Sequence, residues 1–253
     1  MANLLTIFIS TSVAALIWFT LAEGLNFSYS GATGPDYWGS LSPVYNICSN
    51  GMAQSPIDIV KDKLIFNPSL GSLSTVYNDT NATFINNLFN VELQFGKEVG
   101  EVTIDGNTYT LKRLHWHTPS EHTIDGRYYD AEFHMVHASE DGNITVVAIL
   151  YEYGASDSFL DQIICQLDQL AREASGRIPI ELVKATSILL STKNYVRYWG
   201  SLTAPPCSEN VLWNVLVEVR EMTIEQEEAL KAPLDESCKY NSRPTQPPNG
   251  RYA

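Results

Sequence analysis

All five histidines of the 253-residue chain fall between His115 and His137. No other feature limits the fold as tightly. The two segments concerned read Leu114-His115-Trp116-His117 and Glu132-Phe133-His134-Met135-Val136-His137. In a strand, side chains alternate between faces, so His115 and His117 project the same way and can reach one ion together. Asp125-Gly126 is a turn signal, and a hairpin returning through it places Glu132, His134 and Val136 on one face of the partner strand. Three imidazoles from two adjacent strands suit a catalytic zinc, which needs three protein ligands and one position left for water. A lone His-x-His pair in a strand is more often polar decoration; the whole cluster favours the metal.

Length alone allows one large domain or two small ones. From about Tyr29 to Arg251 no linker, repeat or low-complexity block divides the chain, so one domain over residues 25–253 is expected. The net charge is -13, with 16 Lys+Arg against 29 Asp+Glu, and this excludes the basic face that nucleic acid binding requires. Residues 1–24 read as a secretory signal. Leu4 to Leu21 is apolar but for Thr and Ser, and Thr20-Leu21-Ala22 and Ala22-Glu23-Gly24 each carry small or tolerated residues where a signal peptidase would cut, so cleavage near Ala22 or Gly24 is expected. The n-region has no Lys or Arg, so an uncleaved anchor is the alternative; no second span follows, and no membrane insertion is expected after signal removal. Sequons at Asn26, Asn78, Asn81 and Asn143 fit a secreted glycoprotein, with Asn78 to Thr83 read as a surface loop.

Short alternating segments, Ala82 to Ile85, Val91 to Phe95, Glu101 to Ile104, Thr108 to Leu111, Leu114 to Thr118, Ala131 to His137 and Ile144 to Tyr151, are separated mostly by Gly, Asn and Asp. Gln54 to Val60 starts another short strand. This pattern predicts a mostly β (α+β) fold on a large, twisted, mainly antiparallel sheet rather than βαβ units. Two peripheral helices are expected. In Ser158 to Ala174, Leu160, Ile163, Ile164, Leu167, Leu170 and Ala171 form one apolar stripe. Thr223-Ile224-Glu225-Gln226 opens the second with a capping box, and Pro233 ends it.

Four cysteines in an oxidising compartment allow three complete pairings. Cys165 lies roughly 160° from the centre of the first helix's stripe and should face solvent. It is a candidate for an intermolecular disulfide and so for a homodimer; an inert thiol, or one paired with Cys238, is the other reading. Cys48 and Cys207 remain as a natural intrachain pair.

Cupins and copper-zinc superoxide dismutases also begin from His-x-His, but both draw histidines from more distant segments than this chain offers. The ordered motifs Gly34-Pro35-Asp36-Tyr37-Trp38-Gly39, Gln54-Ser55-Pro56-Ile57-Asp58, Leu114-His115-Trp116-His117, Ser120-Glu121-His122-Thr123, Glu132 to His137, Gly200-Ser201-Leu202-Thr203-Ala204-Pro205-Pro206-Cys207 and Arg243-Pro244-Thr245-Gln246-Pro247 span essentially the mature chain. Together they closely resemble an α-type carbonic anhydrase, in wording most like the plant secretory members. The resemblance implies the α-carbonic anhydrase fold and reversible hydration of carbon dioxide to bicarbonate and a proton. It implies Zn2+ on His115, His117 and His134, with Glu132 accepting from His134 and a backbone carbonyl near Asn241 accepting from His117. His122 and His137 become neighbours of the site. Thr203 is implied as the gate: its hydroxyl donates to Glu121 and so can only accept from the attacking oxygen. Val136, Val146, Leu202, Val211 and Trp213 match the apolar wall on which carbon dioxide rests.

The chain also departs from that family. The region where fast members carry a proton-shuttling histidine reads Ile85-Asn86-Asn87-Leu88-Phe89-Asn90-Val91, without His, so slow, buffer-dependent proton release is expected. Arg113 stands where many members have a Gln whose carbonyl accepts from the first ligand, and arginine has no acceptor. Ala204 replaces a larger residue and widens the cavity. These departures keep a second reading in view, a storage or carbohydrate-binding protein of the same fold.

Overall fold

Alternation of apolar and polar residues builds a sheet with two chemically different faces. The computed structural model describes residues 27–188 and 192–251, so the signal expected over residues 1–24 and the Asn26 sequon lie outside the described residues. Its strands are β1 (Asp58–Ile59), β2 (Ser74–Tyr77), β3 (Thr80–Asn86), β4 (Val91–Phe95), β5 (Gly100–Ile104), β6 (Asn107–His117), β7 (Thr123–Ile124), β8 (Ala131–Ala138), β9 (Ile144–Tyr153), β10 (Arg177–Val183), β11 (Tyr195–Ser201), β12 (Glu209–Leu216) and β13 (Arg220–Met222). The main sheet runs β10-β3-β4-β6-β8-β9-β12-β11, with β5 also on β6, β2 on β5 and β13 on β9. Most pairs are antiparallel, as the segment pattern predicts; β12 and β13 join β9 in parallel, and β1 pairs β7 in parallel.

One face is a continuous apolar core. Leu93, Leu114, Trp116, Phe133, Met135, Val147 and Ile149 meet Leu160, Leu167 and Leu230 from the helices. Each such side chain, fully buried, contributes about 1.5–3 kcal/mol, so this face is the main source of stability. On the opposite face Val136, Val146, Ala148, Leu150, Val211 and Trp213 form a second cluster beside the histidines. A bulge decides which residues reach which face: Leu111 stands opposite His137, but Arg113 stands opposite Val136. The extra residue, Lys112, reverses the alternation, so Leu111 enters the apolar core while Arg113 points to the histidine side.

Several local expectations are corrected by the structure. The two segments Thr108 to Leu111 and Leu114 to Thr118 are one strand, β6, bent at that bulge. Asp125 and Gly126, with φ of 50° and 76°, form a tight turn closed between Ile124 and Arg127, and the chain returns through it from β6 to the antiparallel β8, although the whole connection is longer than a two-residue hairpin loop. The helix expected from Ser158 to Ala174 is two of the five α-helices among the described residues: α1 (Trp38–Leu41), α2 (Ile47–Asn50), α3 (Ser158–Asp161), α4 (Ile164–Arg172) and α5 (Ile224–Lys231). Between α3 and α4 the Ile163 amide bonds back to the Leu160 carbonyl, a tighter turn than an α-helix makes. Ala171 is exposed and Phe159 takes its place in the core. The capping box is present on α5, with Thr223 Oγ1 accepting from the Gln226 amide. Asn78 and Asp79 are exposed in the link between β2 and β3, whereas Asn81 stands within β3, also exposed.

Candidate metal centre

The register brings the histidines together. His115 faces His134 directly across β6 and β8, and His117 faces Glu132. The three histidines offer nitrogens that lie within 4.8 Å of one another, and all are buried. His115 Nε2 is 3.2 Å from His134 Nδ1, and His117 Nε2 is buried with no hydrogen-bond partner. A buried nitrogen lone pair left unused beside two others suits a cation. Two of the three remaining nitrogens are used to orient their rings. His117 Nδ1 donates to the Asn241 carbonyl at 2.7 Å, and His134 Nε2 donates to Glu132 Oε1 at 2.7 Å. His115 Nδ1 is buried and finds no acceptor.

Glu132 is the hub behind the ligands. Besides His134 it accepts from His122 Nδ1 at 2.6 Å and from the amides of Glu121 and His122 at 2.8 and 2.7 Å. Burial alone pushes its carboxyl up, but His122 and His134 outweigh that and hold it well below the usual range. His122 continues the chain, its Nε2 accepting from the Tyr198 hydroxyl at 2.7 Å, which in turn meets Ser55 Oγ at 2.9 Å. Neither Tyr198 nor Ser55 is given a role in the sequence reading of the site, although Ser55 lies within a quoted motif and Tyr198 just before another. His137, on the opposite side of β8, bonds Tyr77 at 2.8 Å, as the parity of the strand requires.

Glu121 is fully buried. Its Oε1 accepts from the Arg243 amide at 3.0 Å and lies 3.5 Å from His117 Nδ1. Burial pushes its carboxyl up to about 7, opposed by His134, the Thr203 hydroxyl and the Arg243 amide. Thr203 therefore lies against Glu121, while Glu121 Oε2 completes no hydrogen bond of regular geometry. Burial also pushes His115 well down and His117 down to about 4, so both rings are neutral near pH 7.

Val136, Val146, Val211 and Trp213 share one apolar cluster, with Leu202 packed against it. The Trp213 ring lies 4.9 Å from that of His134, centroid to centroid, so this wall adjoins the ligands. Ala204 packs elsewhere, with the aromatic cluster around Phe27, Trp38 and the disulfide. Cys48 and Cys207 are bonded across a sequence separation of 159. Cys165 is an exposed free thiol and Cys238 a buried one, so the two are not paired with each other. Arg113 is drawn to Glu92, which the sequence reading missed: Arg113 Nε stands 3.4 Å from Glu92 Oε2. An open groove of about 640 Å3 lies on the sheet nearer its β10 edge, over Thr83, Gln94 and Pro179, apart from the three histidines.

Sheet, buried nitrogens and their oriented acceptors form a cluster able to hold one metal ion on a β-sheet. A family model described as eukaryotic-type carbonic anhydrase matches residues 33–252. α carbonic anhydrase 7 of Arabidopsis thaliana is 37% identical over 226 residues, covering 89% of this chain and 82% of the relative. Dioscorin DB3L of Dioscorea polystachya is 37% identical over 225 residues, covering 88% and 83%. Among solved structures, dioscorin complexed with ascorbate superposes with a TM-score of 0.87 at 36% identity, over 89% of this chain and 95% of that one. The α-carbonic anhydrase of Thermovibrio ammonificans with sulfanilamide gives 0.79 at 35%, over 91% and 99%. The chain belongs to the eukaryotic-type carbonic anhydrase family and has the α-carbonic anhydrase fold.

Proposed function

We propose that the protein is a zinc-dependent carbonic anhydrase that interconverts carbon dioxide and bicarbonate, slowed by the lack of a shuttle histidine. The observation that carries this reading is the convergence of His115, His117 and His134, two of them oriented by acceptors on their far nitrogens. Zinc, when bound, supplies the Lewis acidity that makes a nucleophile of water near neutral pH. The chain's own residues do the rest. His117 and His134 are held in the tautomer that frees one nitrogen each for the ion. Glu121, at the three histidines, is favoured as a carboxylate by any cation there, and Thr203 donates to it. The Thr203 oxygen then accepts from the attacking oxygen and aims its lone pair at the carbon. Val136, Val146, Leu202, Val211 and Trp213 hold uncharged carbon dioxide without competing for the metal. No histidine is left to carry the proton out, because His122 and His137 are buried and engaged.

Metal analysis together with carbon dioxide hydration, with and without a sulfonamide, tests the proposal: stoichiometric zinc and sulfonamide-sensitive hydration are expected. A zinc-free, inactive preparation would leave the storage or carbohydrate-binding reading, which the similarity to dioscorins favours. The internal disulfide, the exposed sequon asparagines Asn78, Asn81 and Asn143 and the plant relatives support passage through the secretory pathway and secretion as a glycoprotein after loss of residues 1–24. A single catalytic domain then occupies residues 25–253. No helix among the described residues is long and apolar enough to cross a membrane. Exposure of Cys165 supports a covalent homodimer; a mass that does not halve on reduction removes it.

A further inference from the structure

We propose that Arg113 weakens the hold of this centre on its metal by leaving the ring of His115 without an acceptor, so that the protein exchanges zinc faster than the same chain with Gln at that position. The inference rests on the zinc reading above and concerns how firmly the site retains the ion.

The three ligands are not equally supported. His117 and His134 each pass their second N–H to an oxygen at 2.7 Å. His115 Nδ1 is just as buried and has nothing to donate to. To bind a metal through Nε2, a neutral imidazole must carry its proton on Nδ1. The metal-bound tautomer of His115 therefore places an N–H in a buried position with no acceptor, and that arrangement is unfavourable.

The nearby side chains explain why no acceptor is present. On the same strand and face, two residues before His115, stands Arg113, whose five N–H groups can only donate. The acceptor directly opposite His115 in the sheet is Glu92 on β4, but its carboxylate is taken by others. Glu92 Oε1 accepts from Gln94 Nε2 at 2.6 Å, and Oε2 accepts from Asn87 Nδ2 at 3.2 Å and pairs with Arg113 Nε at 3.4 Å. Arg113 thus occupies the acceptor's position and also draws the one neighbouring carboxylate to itself.

The opposite tautomer is well served. With its proton on Nε2, His115 can donate to His134 Nδ1 at 3.2 Å. The bare Nδ1 lone pair then lies in the field of the Arg113 cation, which favours it. Arg113 thereby stabilises the metal-free tautomer, whose Nε2–H hydrogen bond to His134 a metal must displace. Loss of an outer partner of a ligating histidine typically costs ten- to a hundred-fold in metal affinity. Arg113 acts through His115 and does not touch substrate.

The test is zinc release from the full protein to an excess of chromogenic chelator, for wild type, Arg113→Gln and Arg113→Met. In Arg113→Gln the side-chain carbonyl can accept from His115 Nδ1, and Glu92 keeps its bonds from Asn87 and Gln94. Release at least roughly ten-fold slower than wild type is expected. Arg113→Met removes the charge without supplying an acceptor and should recover only part of that gain. Equal release rates for wild type and Arg113→Gln, both zinc-loaded, overturn the proposal and leave the zinc reading intact. Absence of zinc from wild type and both variants overturns both. In the metal-free proteins, 15N shifts of the histidine rings give an independent readout: His115 is expected as the Nε2–H tautomer in wild type, shifting toward Nδ1–H in Arg113→Gln. An unchanged tautomer counts against the proposal even if the rates differ.

Discussion

His115 Nε2 lies 3.2 Å from His134 Nδ1, across directly opposed positions of β6 and β8. Two nitrogens of a zinc tetrahedron with bonds of about 2.0–2.1 Å are roughly 3.3 Å apart, so this spacing matches one edge of the site proposed above. The same distance serves a hydrogen bond in the metal-free protein, and no backbone movement is needed to change from one to the other.

Because His117 Nε2 has no other partner, His117→Ala should remove stoichiometric zinc and reduce hydration to the buffer background. Metal analysis of the folded variant checks this; full zinc occupancy in His117→Ala would exclude this residue as a ligand.

Thr203 lies against Glu121 and acts to lower its pKa. Thr203→Ala should keep zinc and lower carbon dioxide hydration by about 10²-fold, the scale of a misaligned nucleophile. Stopped-flow hydration at matched zinc content reads the effect, and an unchanged rate would remove Thr203 as the gate.

With His122 and His137 buried, hydration should be limited by proton export. The turnover rate is expected to rise several-fold as imidazole buffer is increased at constant pH and ionic strength, while kcat/KM stays constant. Buffer-independent turnover would point to another route for the proton.

His137 is buried, and burial pushes its pKa down to about 3. Its unfolded value is about 6.5, so the unfolded chain takes up the proton first as pH falls. The contribution to stability is full above about pH 6.5 and is lost between there and pH 3, at up to about 1.4 kcal/mol per pH unit. His137→Gln should flatten the acid limb. Denaturant unfolding at pH 7 and pH 4.5 measures this, and an equal loss in both proteins would assign the acid sensitivity elsewhere.

The Cys48–Cys207 bond closes a long loop, with a sequence separation of 159. The double variant Cys48→Ser/Cys207→Ser should lose about 2–5 kcal/mol, or roughly 5–15 °C in Tm for a domain of this size. Thermal melts with and without reductant test it, since reductant should shift only the wild type.

Local alternation made the ligand strands readable: His115 and His117 share a face because they are two residues apart, and His134 shares it through the parity of Glu132, His134 and Val136. The capping box at Thr223 and the solvent-facing Cys165 were readable for the same reason, since each depends on a few adjacent residues. The bulge at Lys112 was not, because one inserted residue leaves the alternation on either side intact and only the partner strand shows the shift. Nor was the break between α3 and α4, where apolar spacing continues through the turn at Gln162 and Ile163.

What the sequence determined by itself is the set of donor atoms and the face on which they stand. What the tertiary structure decided is their support. Asn241 reaches His117 from 124 positions away in the chain, Tyr198 reaches His122 from 76, and Glu92 is turned toward Arg113 and not to the ring opposite it. The physical reason is range. Strand periodicity is set by each residue's own backbone, whereas the partner on a ligand's far nitrogen depends on which distant segment the packed sheet brings against it.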